Sequence, residues 1–144
     1  MRARRTVLGL LVLMANGCVS TGVRFPQAPV GQPDADSGVI YIYRVPGGHA
    51  AAVPLAVFLD GRKIVSLGQN GFTWVRVPPG GHTVGGVWSS FVSAPQVQLN
   101  GQIRAGTVTY LEFSATYDTL RIRSMSDVDA KKAMQSFGYD PATP

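Results

Sequence analysis

Leu55-Ala-Val-Phe-Leu-Asp-Gly-Arg-Lys-Ile-Val-Ser-Leu67 reads as a β-hairpin, and the rest of the fold is read outward from it. Leu55 to Leu59 is apolar throughout, the composition of a strand buried on both faces, and Asp60-Gly61 is a two-residue turn. Such a turn needs positive φ, which Gly61 adopts without steric cost and Asp60 tolerates. The same vocabulary repeats along the chain. Gly38-Val-Ile-Tyr-Ile-Tyr-Arg44 is β-branched and aromatic, Phe72-Thr-Trp-Val-Arg-Val77 alternates, and Pro78-Pro-Gly-Gly81 punctuates before His82-Thr-Val-Gly-Gly-Val-Trp88. Gln96-Val-Gln-Leu99, Thr107-Val-Thr-Tyr-Leu-Glu-Phe113 and Thr119-Leu-Arg-Ile-Arg123 complete the set. Short strands at intervals of roughly 10 residues predict an all-β chain: a β-sandwich or open barrel of about seven to eight short antiparallel strands.

One helix is expected at the C-terminal end. Ser126 with Asp129 three residues on resembles a capping box, and Gly138 stands where a C′ glycine belongs. Ala130, Met134 and Phe137 fall on one stripe, so the helix is expected to pack on the sheet or cover an edge strand.

Ahead of the strands the composition changes twice. Residues 18–37 contain Pro26, Pro29 and Pro33 with little apolar periodicity, which predicts a flexible tether between an anchor and a β-domain at 38–144. Before that come Arg2, Arg4 and Arg5, then an apolar stretch from Val7 to Met14, then Ala15-Asn16-Gly17-Cys18. The apolar stretch is far shorter than the ~20 residues that span a bilayer. Residues 1–17 resemble a bacterial lipoprotein signal peptide. That resemblance implies cleavage before Cys18 and a diacylglyceryl group on its thiol, with palmitate-type acyl chains holding the protein to a membrane. Val19 stands where an Asp would resemble an inner-membrane retention signal, which points to the outer membrane and a periplasm-facing domain. Ala15 and Gly17 also suit an ordinary secretory peptidase, which would leave a soluble exported protein.

Removing that segment alters the charge. The chain carries 13 Lys and Arg against 8 Asp and Glu, net +5; without the three signal arginines ten basic and eight acidic residues remain, net +2. No cluster of basic residues with interleaved aromatics is left, so nucleic acid is not an expected partner. Cys18 is the only cysteine, and the domain must fold without a disulfide.

Four blocks recur in order in a family of small bacterial lipoproteins carrying a domain of unknown function, and this chain resembles that family. They are Tyr41-Ile-Tyr-Arg44, Val57-Phe-Leu-Asp-Gly-Arg-Lys-Ile64, Val77-Pro-Pro-Gly-Gly-His-Thr-Val84 and Ile103-Arg-Ala-Gly-Thr-Val-Thr-Tyr110. The middle two are also similar to PEGA-type surface domains, although the proline-glycine step is expanded here to Pro78-Pro79-Gly80-Gly81. The resemblance implies an envelope-anchored β-sandwich and transfers no catalytic residue.

Chemistry-bearing residues are few. The histidines are His49 and His82, each after a glycine pair, and no G-x-S-x-G occurs. Two imidazoles fall short of the three or four ligands zinc requires, so neither a metal nor another cofactor is expected. Glu112, between Leu111 and Phe113, is expected to face solvent or pair with Arg121 or Arg123. The reading is a non-enzymatic, lipid-anchored binding or structural module for an envelope protein or cell-wall polymer, with Trp74, Trp88, Phe91 and Tyr117 as partner contacts. The alternative is a small enzyme or a ligand or metal carrier with its site near His49 and His82.

Overall fold

A computed structural model describes residues 19–47, 52–88, 96–116 and 119–143. Along them run β1 (Gly38–Arg44), β2 (Leu55–Leu59), β3 (Arg62–Leu67), β4 (Gly71–Val77), β5 (Gly80–Trp88), β6 (Gln96–Ile103), β7 (Val108–Ala115), β8 (Leu120–Met125), α1 (Asp127–Met134) and β9 (Gly138–Tyr139). Two sheets result, one ordered β8-β7-β1-β4-β9 and the other β3-β2-β5-β6. They face each other without closing into a barrel, which is a sandwich.

The Asp60-Gly61 turn has φ of 50° and 81° at its two residues, as a tight hairpin turn demands. It joins β2 to β3 through a bulge at Val57/Phe58. Two pairings are parallel, β1 with β7 and β4 with β9, where an antiparallel set was expected. The reason is the chain's route. After β4 it spends β5 and β6 in the opposite sheet, and β7 then returns alongside β1 in the same direction.

Alternation along β1 divides the interior into two cores. Ile40 and Ile42 enter the core between the sheets, with Leu55, Val57, Val84, Leu111 and Phe113. Val39, Tyr41 and Tyr43 point the other way, into a second core with Phe72, Tyr110, Ala130, Met134 and Phe137. All seven residues of β1 are therefore buried. Burial on both faces was expected of β2, but Phe58 and Leu59 are only half-buried there. β1 is the middle strand of a sheet covered on both sides, whereas among the described residues the four-stranded sheet is covered on one.

The helix begins as read: the Asp129 N–H donates to Ser126 Oγ at 3.1 Å. Ala130, Met134 and Phe137 are buried against the five-stranded sheet. Gly138 is not a C′ glycine, because the helix is capped at Gln135 and Gly138 pairs with Gly71 in β9.

The segment expected as a tether is held down from its first described residues. The Ser20 N–H donates to Gln69 O at 3.1 Å, Tyr139 N–H to Val23 O at 2.9 Å and Phe25 N–H to Phe137 O at 2.9 Å. The Phe25 ring meets Phe72 edge-on with centroids 5.7 Å apart, and Ala28 is buried. Gly31 N–H donates to Tyr41 Oη at 2.8 Å, while Trp74 Nε1–H donates to Pro29 O at 2.9 Å. Residues 19–37 are thus a strap across the five-stranded sheet. Prolines keep it out of a strand ladder yet stiffen it, which lowers the entropy lost on docking.

Candidate functional site

The exposed face of the four-stranded sheet is built by β6, which alternates with a period of two. Gln96, Gln98, Asn100 and Gln102 are exposed, while Val97 and Leu99 pack toward the core. Register sets Gln96 beside Val87, Gln98 beside Gly85, and Asn100 beside Thr83 on β5. On the far side of β5, Phe58 lies opposite Gly85. Gly85 has no side chain, and the Phe58 ring and the Gln98 amide border the gap it leaves. A cleft of about 290 Å³ results, lined by Phe58, Thr83, Gly85, Val87, Gln96 and Gln98 among others, none of them charged. A Cβ on Gly85 would stand 3.2 Å from both Gln98 Cγ and Val97 O, so the glycine keeps the floor low. A second recess, along Gly81, Asn100 and Gln102, shares Thr83 with the first. Amides and a hydroxyl offer both donors and acceptors, and the ring adds an apolar edge. Sequence reasoning missed this face. Its signal was the alternation of amides from Gln96 to Gln102.

His82 sits beside it, fixed to the hairpin turn. Its Nδ1 lies 2.7 Å from Asp60 Oδ2 and its Nε2 lies 2.8 Å from Pro78 O, while Asp60 Oδ1 accepts from the Thr83 N–H at 2.8 Å. Both ring nitrogens face acceptors, so both contacts are satisfied only when the imidazole is doubly protonated. The Asp60 hydrogen bond pushes the His82 pKa above its ordinary 6.5. Thr83 N–H, and then His82, pull the Asp60 carboxyl below its ordinary 3.8. The raised imidazole stabilises the fold fully below 6.5, and that contribution is lost as pH rises through the folded value. The lowered carboxyl contributes above 3.8 and loses its contribution as pH falls through its folded value. His82→Gln should therefore lower the thermal midpoint most between 3.8 and 6.5, with a shrinking difference on either side. The cost is about 1 kcal/mol at most, reduced by solvent screening of the half-exposed carboxylate. A difference independent of pH would show that the ring acts by packing alone.

The other expected residues have structural partners. Glu112 is buried, accepting from Tyr43 Oη at 3.1 Å and from Arg123 Nε at 2.8 Å, with Arg123 Nη2 2.7 Å away. Tyr43, Glu112 and Arg123 are direct register partners across three strands, so the expected arginine is Arg123. Burial, and then the Glu112 charge, push the Tyr43 phenol well above its ordinary range. Trp88 is buried under Arg44, whose guanidinium carbon stands 4.6 Å from the ring centroid. Trp74 is half-buried beneath the strap and stacks on Tyr139. The two tryptophans therefore do not form the exposed patch expected of partner contacts.

Cys18, His49, Phe91 and Tyr117 lie outside the described residues. β1, β5 and β7 finish at the end of the sandwich marked by Arg44, Trp88 and Ala115. His82 is at the other end, beside the β2–β3 turn. Among the described residues no group of three or more His, Cys, Asp or Glu could hold a metal ion. No protein-family model matches the chain, and no curated protein matches it.

Proposed function

We propose that the chain is a non-enzymatic, lipid-anchored envelope protein, held to the outer membrane through Cys18, that binds an uncharged cell-wall polymer on the open face of its four-stranded sheet. One observation carries the binding reading: the cleft between Phe58 and Gln98 is lined by amides, a hydroxyl, backbone and an aromatic ring, with no charge. Sugar polymers present that pairing of hydroxyls and apolar ring faces. Two groups that a small catalytic site would need free, Glu112 and His82, are committed to neighbouring side chains and backbone. The anchor reading rests on the arginines, the short apolar stretch and the single cysteine of residues 1–18. Among the described residues no helix is long and apolar enough to cross a membrane.

The full chain should co-sediment with insoluble cell-wall glycan. Phe58→Ala and Gln98→Ala should each weaken that binding by about tenfold, the scale of a contact worth ~1.4 kcal/mol. Both side chains are on the open face, so the variants should fold as the parent does. Unchanged co-sedimentation of both folded variants overturns the glycan reading. Cys18→Ser should leave the membrane fraction, and its retention there overturns the anchor.

A further inference from the structure

The strap bears on how an anchored domain would stand. A free 19-residue segment would place the domain at an r.m.s. distance of about 25 Å from its attachment point. Here no such slack exists. Val19 pairs with Gln69, and Ser20 is tied twice, by its N–H to Gln69 O and by its hydroxyl to Asp140 Oδ1 at 2.8 Å. Cys18 is one peptide unit away, ~3.8 Å from Cα to Cα. An acyl group on that cysteine would therefore leave the chain at one place, the end of the sandwich at the β3–β4 turn.

That end suits contact with lipid headgroups. Val19 is 45% exposed and Val23 57%, two of the four large apolar side chains most exposed among the described residues. Beside them a broad recess is lined by Val19, Arg24, Phe25, Asn70, Gln135 and other residues, and Arg24 is its one charged group. Arg24 Nη1 donates to Ser136 O at 2.7 Å, which holds the guanidinium at the rim where it could meet a lipid phosphate. Pressing the recess against a bilayer covers the exposed valines, and the described charged groups beside it are Arg24 and the half-buried Asp140, which Ser20 Oγ holds. The opposite end carries Asp34, Asp36, Asp60, Arg62 and Arg104, for which the same contact would be costly.

We propose that this end, around Val19, Val23, Arg24 and Asn70, rests directly on the membrane surface with no spacer, so that the strands stand up from the bilayer and the cleft beside Phe58 opens sideways. The inference rests on the reading that Cys18 is acylated.

The chain itself provides the test, because Cys18 is its only cysteine and the lipid occupies it. A single cysteine introduced as Gln135→Cys or Arg104→Cys then takes a fluorophore alone. Each lipidated full chain is reconstituted into phosphatidylethanolamine–phosphatidylglycerol vesicles containing a headgroup-quencher lipid. The probe at 135 should be quenched severalfold more than the probe at 104. A ten-residue Gly/Ser insertion between Cys18 and Val19 should abolish that difference. Equal quenching at both positions on floated vesicles overturns the contact face while leaving the anchor intact. Failure of the chain to float with vesicles, with no acyl mass on the intact protein, overturns the anchor and the contact face with it.

Discussion

A chain that starts at Ser37 should be less stable by about 3–5 kcal/mol than one that starts at Val19, a large share of the 5–15 kcal/mol typical of a domain. Removing 19–36 uncovers the second core. Phe25 leaves the face of Phe72, Ala28 leaves its buried position, and the contact of Gly31 with Trp74 is lost. The Tyr41 hydroxyl loses the Gly31 N–H, Trp74 Nε1–H loses Pro29 O, and Arg76 Nη2–H loses Gln32 O at 2.8 Å. Water replaces part of that bonding, so each bond counts for about 1 kcal/mol at most, and the entropy of ordering the strap offsets some of the gain. The truncated chain should show a lower urea midpoint and stronger binding of a hydrophobic dye. Equal midpoints for the two chains would show that the strap adds nothing to stability and acts only as a tether.

Arg44→Ala should cost a comparable amount, about 3–5 kcal/mol. Arg44 is 2% exposed at the end of β1, and its Nη1 donates to Val53 O at 2.8 Å and to Leu67 O at 3.0 Å. One side chain thus ties the β1–β2 connection and the end of β3 to the five-stranded sheet. Alanine leaves a void under Trp88 and removes the donor from both carbonyls. Arg44→Met refills much of the void without a donor, so it should fall between the parent and alanine. Arg44→Lys keeps the charge but not the planar fork that meets two carbonyls and the ring face together. Chemical denaturation followed by tryptophan fluorescence reports the order directly. If methionine and alanine were equally destabilising, the missing donor would dominate; if methionine matched the parent, volume alone would be what Arg44 contributes.

Sequence reading succeeded where the signal is local. The β2–β3 hairpin is written in Asp60-Gly61, because positive φ at two successive residues is a demand few pairs meet. The helix start is written in Ser126 and Asp129, because one side chain satisfies one backbone N–H three residues away. Glu112 was expected to face solvent or to pair across strands, and the pairing with Arg123 is what the register provides. The reading was less successful where a face had to be assigned. Trp74 and Trp88 have the composition of partner contacts, but one lies under the strap and the other under Arg44. The cleft residues, Phe58 and Gln98, flank Gly85 only because β2 and β6 both pair with β5, which no local pattern states.

By itself, then, the amino-acid order determined eight of the nine described strands, the tight turn, the helix N-cap and the class of fold, since each depends on residues within a few positions of one another. Tertiary structure alone decided the rest: that β7 runs parallel to β1, that β1 rather than β2 is buried on both faces, and that residues 19–37 form a strap. The physical reason is visible at Gly22. A Cβ there would stand 1.8 Å from Tyr139 O, so the glycine lets the strap lie against a backbone more than a hundred positions away. Proline-rich sequence without periodicity looks the same whether it is free or docked. What separates the two cases is a set of hydrogen bonds and ring contacts whose partners come from the far end of the chain.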